Sequence, residues 1–276
     1  IPVLDNRKHY WVGDAEVDKL ISRGEGWLDA HPLRDMIVRR YLKHQSDLAG
    51  EAIVRLSDGE GVEQGTVQED ATEHFLPLND IRIAAVVRVL KECGANRLLD
   101  IGCGEGRLLK ELLAVPQFHE IVGVDVSVNA LELAGRRLRL NRLPDLKRCR
   151  IRLLHGAMTY RDARLEGYDA AAIVEAVEHL DPGQLTTFER AIFEYAKPET
   201  VVVTTPNREY NVNYPNIAQG EFRHRDHRFE WTRTEFTAWA DKVTEAHGYS
   251  VTIEPVGEVD PVLGPPTQMG IFHRCK

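Results

Sequence analysis

The stretch "LLDIGCGEGR", residues 98–107, decides the fold. Leu98, Leu99 and Ile101 read as a short buried strand interrupted by one acid, Asp100. Gly102, Gly104 and Gly106 then let the backbone turn tightly and approach a ligand without Cβ collisions. The order G-x-G-x-G departs from the G-x-G-x-x-G of dinucleotide-binding turns, and the lack of G-K-[ST] excludes a phosphate-cradling P-loop. Asp100 would repel a pyrophosphate but would favour a cationic ligand. Asp125 follows about 25 residues later, at the end of "EIVGVD", where a carboxylate commonly holds a ribose diol.

Around this stretch, short apolar segments alternate with amphipathic ones. Helical "IRIAAVVRVLKECG" precedes it and helical "GRLLKELLAV" follows. Next come "EIVGVDVS", helical "NALELAGRRLRLN", "RIRLLHG", "YDAAAIVEAVEHL", helical "QLTTFERAIFEYA" and "TVVVTTPN". A helix at "RTEFTAWADKVTEAHG" and strands at "SVTIEPV" and "TQMGIFHR" complete the chain. Continuously apolar strands between helices predict an α/β fold with a doubly wound, mostly parallel sheet covered on both faces. Ligands of such sheets bind beyond the carboxyl ends of the strands. Residues 14–57 show helical periodicity, and 58–73 form an acidic, glycine-bearing stretch with no apolar period. The expected division is therefore 1–75, a helical extension with an acidic loop, and 76–276, a catalytic domain.

The 276 residues are 43% hydrophobic and 28% charged, as in an ordinary soluble protein, and no apolar run approaches a membrane span. A net charge of −8 argues against nucleic-acid binding through bulk charge, though not against a local basic groove. Cys93, Cys103, Cys149 and Cys275 show no C-x-x-C spacing, which points to a reduced, cytoplasmic setting. The chain starts at Ile1 rather than Met, as a fragment of a longer protein would.

"AAAIVEAVEHLDPG", residues 170–183, places Glu175, Glu178 and His179 just past the fourth strand. If a helical turn starts at Glu175, the three share one face at i, i+3 and i+4. Two carboxylates and an imidazole suit a divalent cation. Downstream, "RHRDHRFEW" offers His224 and His227 as a further ligand.

"LLDIGCGEG" followed by "GVDVS" resembles the first two motifs of class I S-adenosylmethionine-dependent methyltransferases. That likeness implies a seven-stranded Rossmann-like sheet with S-adenosylmethionine held by Asp100, Gly102, Cys103, Gly104, Asp125, Val126, Ala157 and Met158. E-x-x-E-H with a distant "DHRFEWTR" (226–233) is similar to one branch, the RNA 3′-terminal ribose 2′-O-methyltransferases of the HUA-enhancer family. "TTPN" (204–207) and "FLPL" (75–78) match further elements, while Ile81 stands where that family often has glutamine. The resemblance implies metal ligands at Glu175, Glu178, His179 and His227, which are also the catalytic set, and substrate contacts from Arg82, Thr205, Asn207, Arg208 and Arg233. "HYWVGDAEVDKL" looks like the bacterial branch, which implies a polynucleotide kinase-phosphatase and ligase partner in the repair of cleaved RNA such as tRNA.

The implied substrate is an RNA bearing a 2′,3′-diol end, and a cation would lower the pKa of the ribose hydroxyl. Two imidazoles favour manganese, iron or cobalt over magnesium, which prefers oxygen ligands. Arg223, Arg225 and Arg228 join Arg208 and Arg233 as expected phosphate contacts. Two alternatives stand: a small-molecule O-methyltransferase of the quinone-biosynthesis kind, and a methyltransferase fold serving as a docking module.

Overall fold

The computed structural model describes residues 78–275 apart from 215, 216, 218, 219 and 225, and of the earlier residues only Leu28 and Ile37. The helices expected over 14–57, the acidic loop, "FLPL" up to residue 77, and Arg225 therefore lie outside the described residues. The chain divides into two compact units, Ile1–Glu73 and His74–Lys276, and the second holds the sheet.

Strands β1 (Arg97–Ile101), β2 (Glu120–Asp125), β3 (Ile151–His155), β4 (Ala170–Val174) and β5 (Thr200–Pro206) pair in parallel. β7 (Thr267–Arg274) runs antiparallel to β5, and β6 (Tyr249–Val256) antiparallel to β7. The order β3-β2-β1-β4-β5-β7-β6 is the seven-stranded arrangement expected of class I S-adenosylmethionine-dependent methyltransferases. Between β1 and β4 the order reverses, so the loops leaving these two strands diverge and open a crevice. Both motifs singled out in the sequence, 102–106 and 175–179, leave the sheet there.

The strands are apolar throughout because both faces are covered. Leu99, Ile101, Ala171, Ile173, Val201 and Val203 pack into one core with Phe188, Phe193, Phe236 and Trp239. Their neighbours Leu98, Ala170, Ala172 and Val202 point into the other core, with Val86, Leu90, Leu109, Leu112 and Phe118. Period-two alternation thus divides one apolar run between two interiors.

Three helices position the site. α1 (Leu78–Glu92) brings Arg82 to the rim. α2 (Arg107–Ala114) buries Leu108, Leu109, Leu112 and Leu113 and starts at Gly106, whose φ of 76° and whose approach to Ala134 admit no side chain. α3 (Val128–Arg137) begins at Ser127, whose hydroxyl caps Ala130 N. "QLTTFERAIFEYA" forms α4 (Leu185–Glu189), which widens into π-helical turns over Arg190–Ala196. α5 (Arg233–His247) opens with a reciprocal cap, Thr232 accepting from Glu235 N and Glu235 accepting from Thr232 N. Among the described residues, no helix is long and apolar enough to cross a membrane.

Candidate active site

The glycine turn closes on β2: the amides of Gly102 and Cys103 both donate to Val124 O, at 2.8 and 3.0 Å. Gly102 sits at φ 77°, and a Cβ there would lie 2.9 Å from Ala176 Cβ and 3.2 Å from Met158 Cε. Geometry and packing both require glycine at this position. The same contact brings Met158, from the loop after β3, against the turn. Asp125 accepts from Gly104 N through Oδ2 and from Ser127 N through Oδ1, each at 2.8 Å. Val126 is exposed beside it, and Ala157 is half-buried.

Asp100 is 2% exposed, and its Oδ2 has no hydrogen-bond partner. Burial, with Asp125 adding repulsion, pushes its carboxyl up to about 7. An orphaned buried acid beside an open glycine turn fits a cationic ligand, because a neighbouring positive charge would restore the ionised form. Burial likewise pushes the Cys103 thiol up, so this residue acts as a small wall of the turn rather than a nucleophile.

Across the crevice, β4 ends differently from the sequence expectation. No helical turn starts at Glu175. Its amide donates to Thr204 O at 3.1 Å, which ties it to the end of β5, and its φ of 48° bends the chain away from helix. A 3-10 turn begins only at Val177 and spans Val177–His179. Glu175 and Glu178 therefore do not share a helical face. Glu175 pairs with Arg82 Nη2 at 3.0 Å and accepts from Thr204 Oγ1 at 3.1 Å.

Glu178, His179 and His227 do come together, each offering a ligand atom within 4.8 Å of the others. Glu178 is fully buried; Oε2 accepts from Thr205 Oγ1 at 3.2 Å while Oε1 has no partner. Burial, then repulsion from Glu175, raises its carboxyl well above the usual range. Burial also raises Glu175, with Arg82 opposing. Two crowded acids, one oxygen unsatisfied, next to two imidazoles fit a divalent cation. His179 suits the same role: burial, then His227, lowers its basicity, which favours the neutral ring that can donate a lone pair.

His227, far from His179 along the chain, reaches it because the loop carrying it is sewn down. Arg228 N donates to Glu178 O at 2.8 Å and Arg208 N to Trp231 O at 3.0 Å. Phe229 and Trp231 pack on the first core, Trp231 stacking on Trp239 with ring centroids 4.9 Å apart. The His179 and His227 rings stand edge to face at 4.9 Å. His224, exposed, lies 6.1 Å from His179 between ring centroids, outside the close group.

The remaining expected substrate residues separate. Asn207 is fully buried, and its amide donates to Leu263 O and Pro265 O, both at 2.8 Å. It clamps the loop before β7. Thr205 is also buried and donates to Glu178. Arg233 pairs with Glu209 at 2.6 Å, Arg228 with Asp181 at 3.5 Å, and half-buried Arg223 braces Asn211 Oδ1 at 2.6 Å. Arg208 is exposed and lies over the Phe222 ring at 5.8 Å. Two contributors escaped the sequence reading: Thr204, inside the quoted "TTPN", and Glu230, inside the quoted "DHRFEW".

Known proteins resemble this chain in sequence and fold. Residues 1–57 match the family model described as the RNA repair, ligase-Pnkp-associating, region of Hen1, and residues 98–199 match a methyltransferase domain. The small RNA 2′-O-methyltransferase of Rattus norvegicus is 36% identical over 188 residues, covering 65% of this chain and 46% of that protein. The chain thus spans about half the length of the curated relatives it matches. A crystal structure of small RNA methyltransferase HEN1 is 31% identical with a TM-score of 0.67, covering 76% of this chain and 27% of that one. The methyltransferase domain of bacterial CtHen1 is 50% identical with a TM-score of 0.66, covering 71% of this chain and 100% of that one. With 50% identity over the 71% of the chain that covers the whole of that bacterial Hen1 methyltransferase domain, the chain belongs to the Hen1 family of methyltransferases.

Proposed function

We propose that this chain transfers a methyl group from S-adenosylmethionine to the 2′-hydroxyl of the 3′-terminal ribose of RNA, with a divalent metal. The observation that carries the reading is the convergence of Glu178, His179 and His227 across the crevice from Asp100 and the glycine turn. The relatives named small RNA 2′-O-methyltransferases support the substrate class. Residues 1–57, similar to a ligase- and Pnkp-associating region, support a place beside a kinase-phosphatase and ligase in RNA repair. Four unpaired cysteines suit a reduced, cytoplasmic setting.

Each side of the crevice has its own work. Asp100 draws the cationic methionine end of the cofactor to the turn, and Asp125 holds the ribose side. Glu178, His179 and His227 would hold the metal, with Glu175 the expected fourth ligand. A metal held there would supply Lewis acidity toward a ribose hydroxyl of a terminal diol. An internal nucleotide or a 3′-phosphate end lacks that diol. Orienting the 2′ oxygen toward the sulfonium methyl would lower the barrier further. Two imidazoles make manganese, iron or cobalt better suited than magnesium.

The test is methyl transfer from labelled S-adenosylmethionine to two short RNAs, one ending in a 2′,3′-diol and one in a 3′-phosphate. Label on the diol RNA alone, lost with chelator and restored by Mn²⁺, is the expected result. Equal labelling of both would move the acceptor away from the terminal diol, and no RNA label with a small catechol labelled instead would return the protein to small-molecule methylation.

A further inference from the structure

Glu230 is 2% exposed, a burial that an ionised side chain tolerates only when its oxygens are satisfied. Its Oε1 accepts from the backbone N of Arg223 at 2.7 Å and stands 2.6 Å from His227 Nδ1. Its Oε2 accepts from Asn211 Nδ2 at 2.5 Å. Asn211 is itself fixed, its Oδ1 accepting from Arg223 Nε at 2.6 Å, and Arg223 Nη2 reaches Asn207 O at 2.7 Å. Both oxygens thus already accept from N–H donors of Arg223 and Asn211, so the carboxylate meets His227 as an acceptor and the imidazole nitrogen facing it carries the hydrogen. In the neutral ring, that leaves the lone pair on Nε2.

We propose that Glu230 is the positioning residue of the candidate metal centre, fixing His227 in the Nδ1–H tautomer so that Nε2 is the ligand atom. Ligating histidines commonly donate their second ring N–H to a carboxylate or a backbone carbonyl, which sets the tautomer and raises ligand basicity. His179 has the weaker version, with Nδ1 at 3.3 Å from Asp226 O. The shorter contact, to a buried carboxylate, makes His227 the more firmly held of the two imidazoles. Asn211 and Arg223 complete a relay from the 3-10 turn after β5 (Arg208–Asn213) to the histidine.

The inference rests on the metal reading of the site, and two measurements keep the two apart. In the metal-free protein at pH 8, long-range ¹H–¹⁵N spectra should show His227 with its proton on Nδ1. A proton on Nε2 would overturn the inference whether or not metal binds. The second measurement is Mn²⁺ titration by electron paramagnetic resonance for the wild type and Glu230→Gln. The amide keeps the shape but offers one acceptor oxygen to three donors, so Mn²⁺ affinity should fall about 10–100-fold. S-adenosylhomocysteine affinity should stay close to wild type, which a general packing defect would not allow. Glu230→Gln binding Mn²⁺ as tightly as wild type would overturn the inference and leave the metal site standing. A wild type that binds no Mn²⁺ would instead sink the metal reading, with the tautomer still deciding what Glu230 does.

Discussion

The two sides of the crevice are built by opposite means. On the proposed cofactor side, Asp100, Gly102, Cys103 and Gly104 are consecutive or nearly so, and their geometry comes from backbone conformation: positive φ at the glycines and amides tied to Val124 and Asp125. On the proposed metal side, residues from two distant segments meet, and each leans on another group: Thr205 for Glu178, Asp226 for His179 and, within its own loop, Glu230 for His227. A contiguous motif carries its own geometry, whereas a convergent one borrows it. The first should therefore fail by local strain, and the second by loss of support at a distance.

The largest effect should come from His227→Ala. Methyl transfer to a diol-ended RNA should fall at least about 100-fold, the scale of losing a metal ligand or its template role. Calorimetric affinity for S-adenosylhomocysteine should change less than twofold. Coupled loss of both would show that the two sides are one cooperative unit and break the comparison.

Trp231→Ala tests borrowed geometry directly. Removing a partly buried indole stacked on Trp239 should cost about 2–4 kcal/mol of unfolding free energy in urea. Mn²⁺ affinity should drop with it, although Trp231 touches no ligand. The counterpart is Gly102→Ala, with its Cβ 2.9 Å from Ala176 and a left-handed backbone. About 1–3 kcal/mol of stability should be lost, with cofactor affinity weakened and Mn²⁺ affinity retained. Mn²⁺ loss in Gly102→Ala would refute the separation.

Asp100→Asn sharpens the cofactor side through pH. Burial first, then Asp125, raises the folded-state pKa to about 7, so the native state holds this proton more tightly than the unfolded chain does. Asp100 thus destabilises the cofactor-free protein progressively from about pH 4 to about pH 7, and fully above that. The variant should gain about 1–3 kcal/mol relative to wild type at pH 8 and much less at pH 5, measured by urea unfolding. Cofactor affinity should fall in the same variant. An identical stability difference at both pH values would remove the argument that Asp100 waits for a cation.

Arg233→Ala should be the mildest. Its pair with Glu209 is partly exposed, so stability should move by less than about 1 kcal/mol. A rise in KM for RNA with unchanged stability would return Arg233 to the substrate contacts.

By itself the sequence determined the sheet class, the glycine turn and its acids, because these follow from period-two burial, backbone freedom and neighbours a few residues apart. It also named Glu178, His179 and His227, since E-x-x-E-H and "DHRFEW" are legible as motifs. What only the tertiary structure decided is who holds whom. Glu175 could be placed on a helical face by spacing, but its amide is tied to Thr204 at the end of β5 and its carboxylate to Arg82. Asn207 and Thr205, implied as substrate contacts, are buried and hydrogen-bonded to the loop before β7 and to Glu178. Nothing in the spacing singled out Glu230, which burial made the partner of His227. Spacing along a chain fixes which residues can be neighbours on one element. Which hydrogen bonds form between elements depends on desolvation, and that exists only once the elements pack.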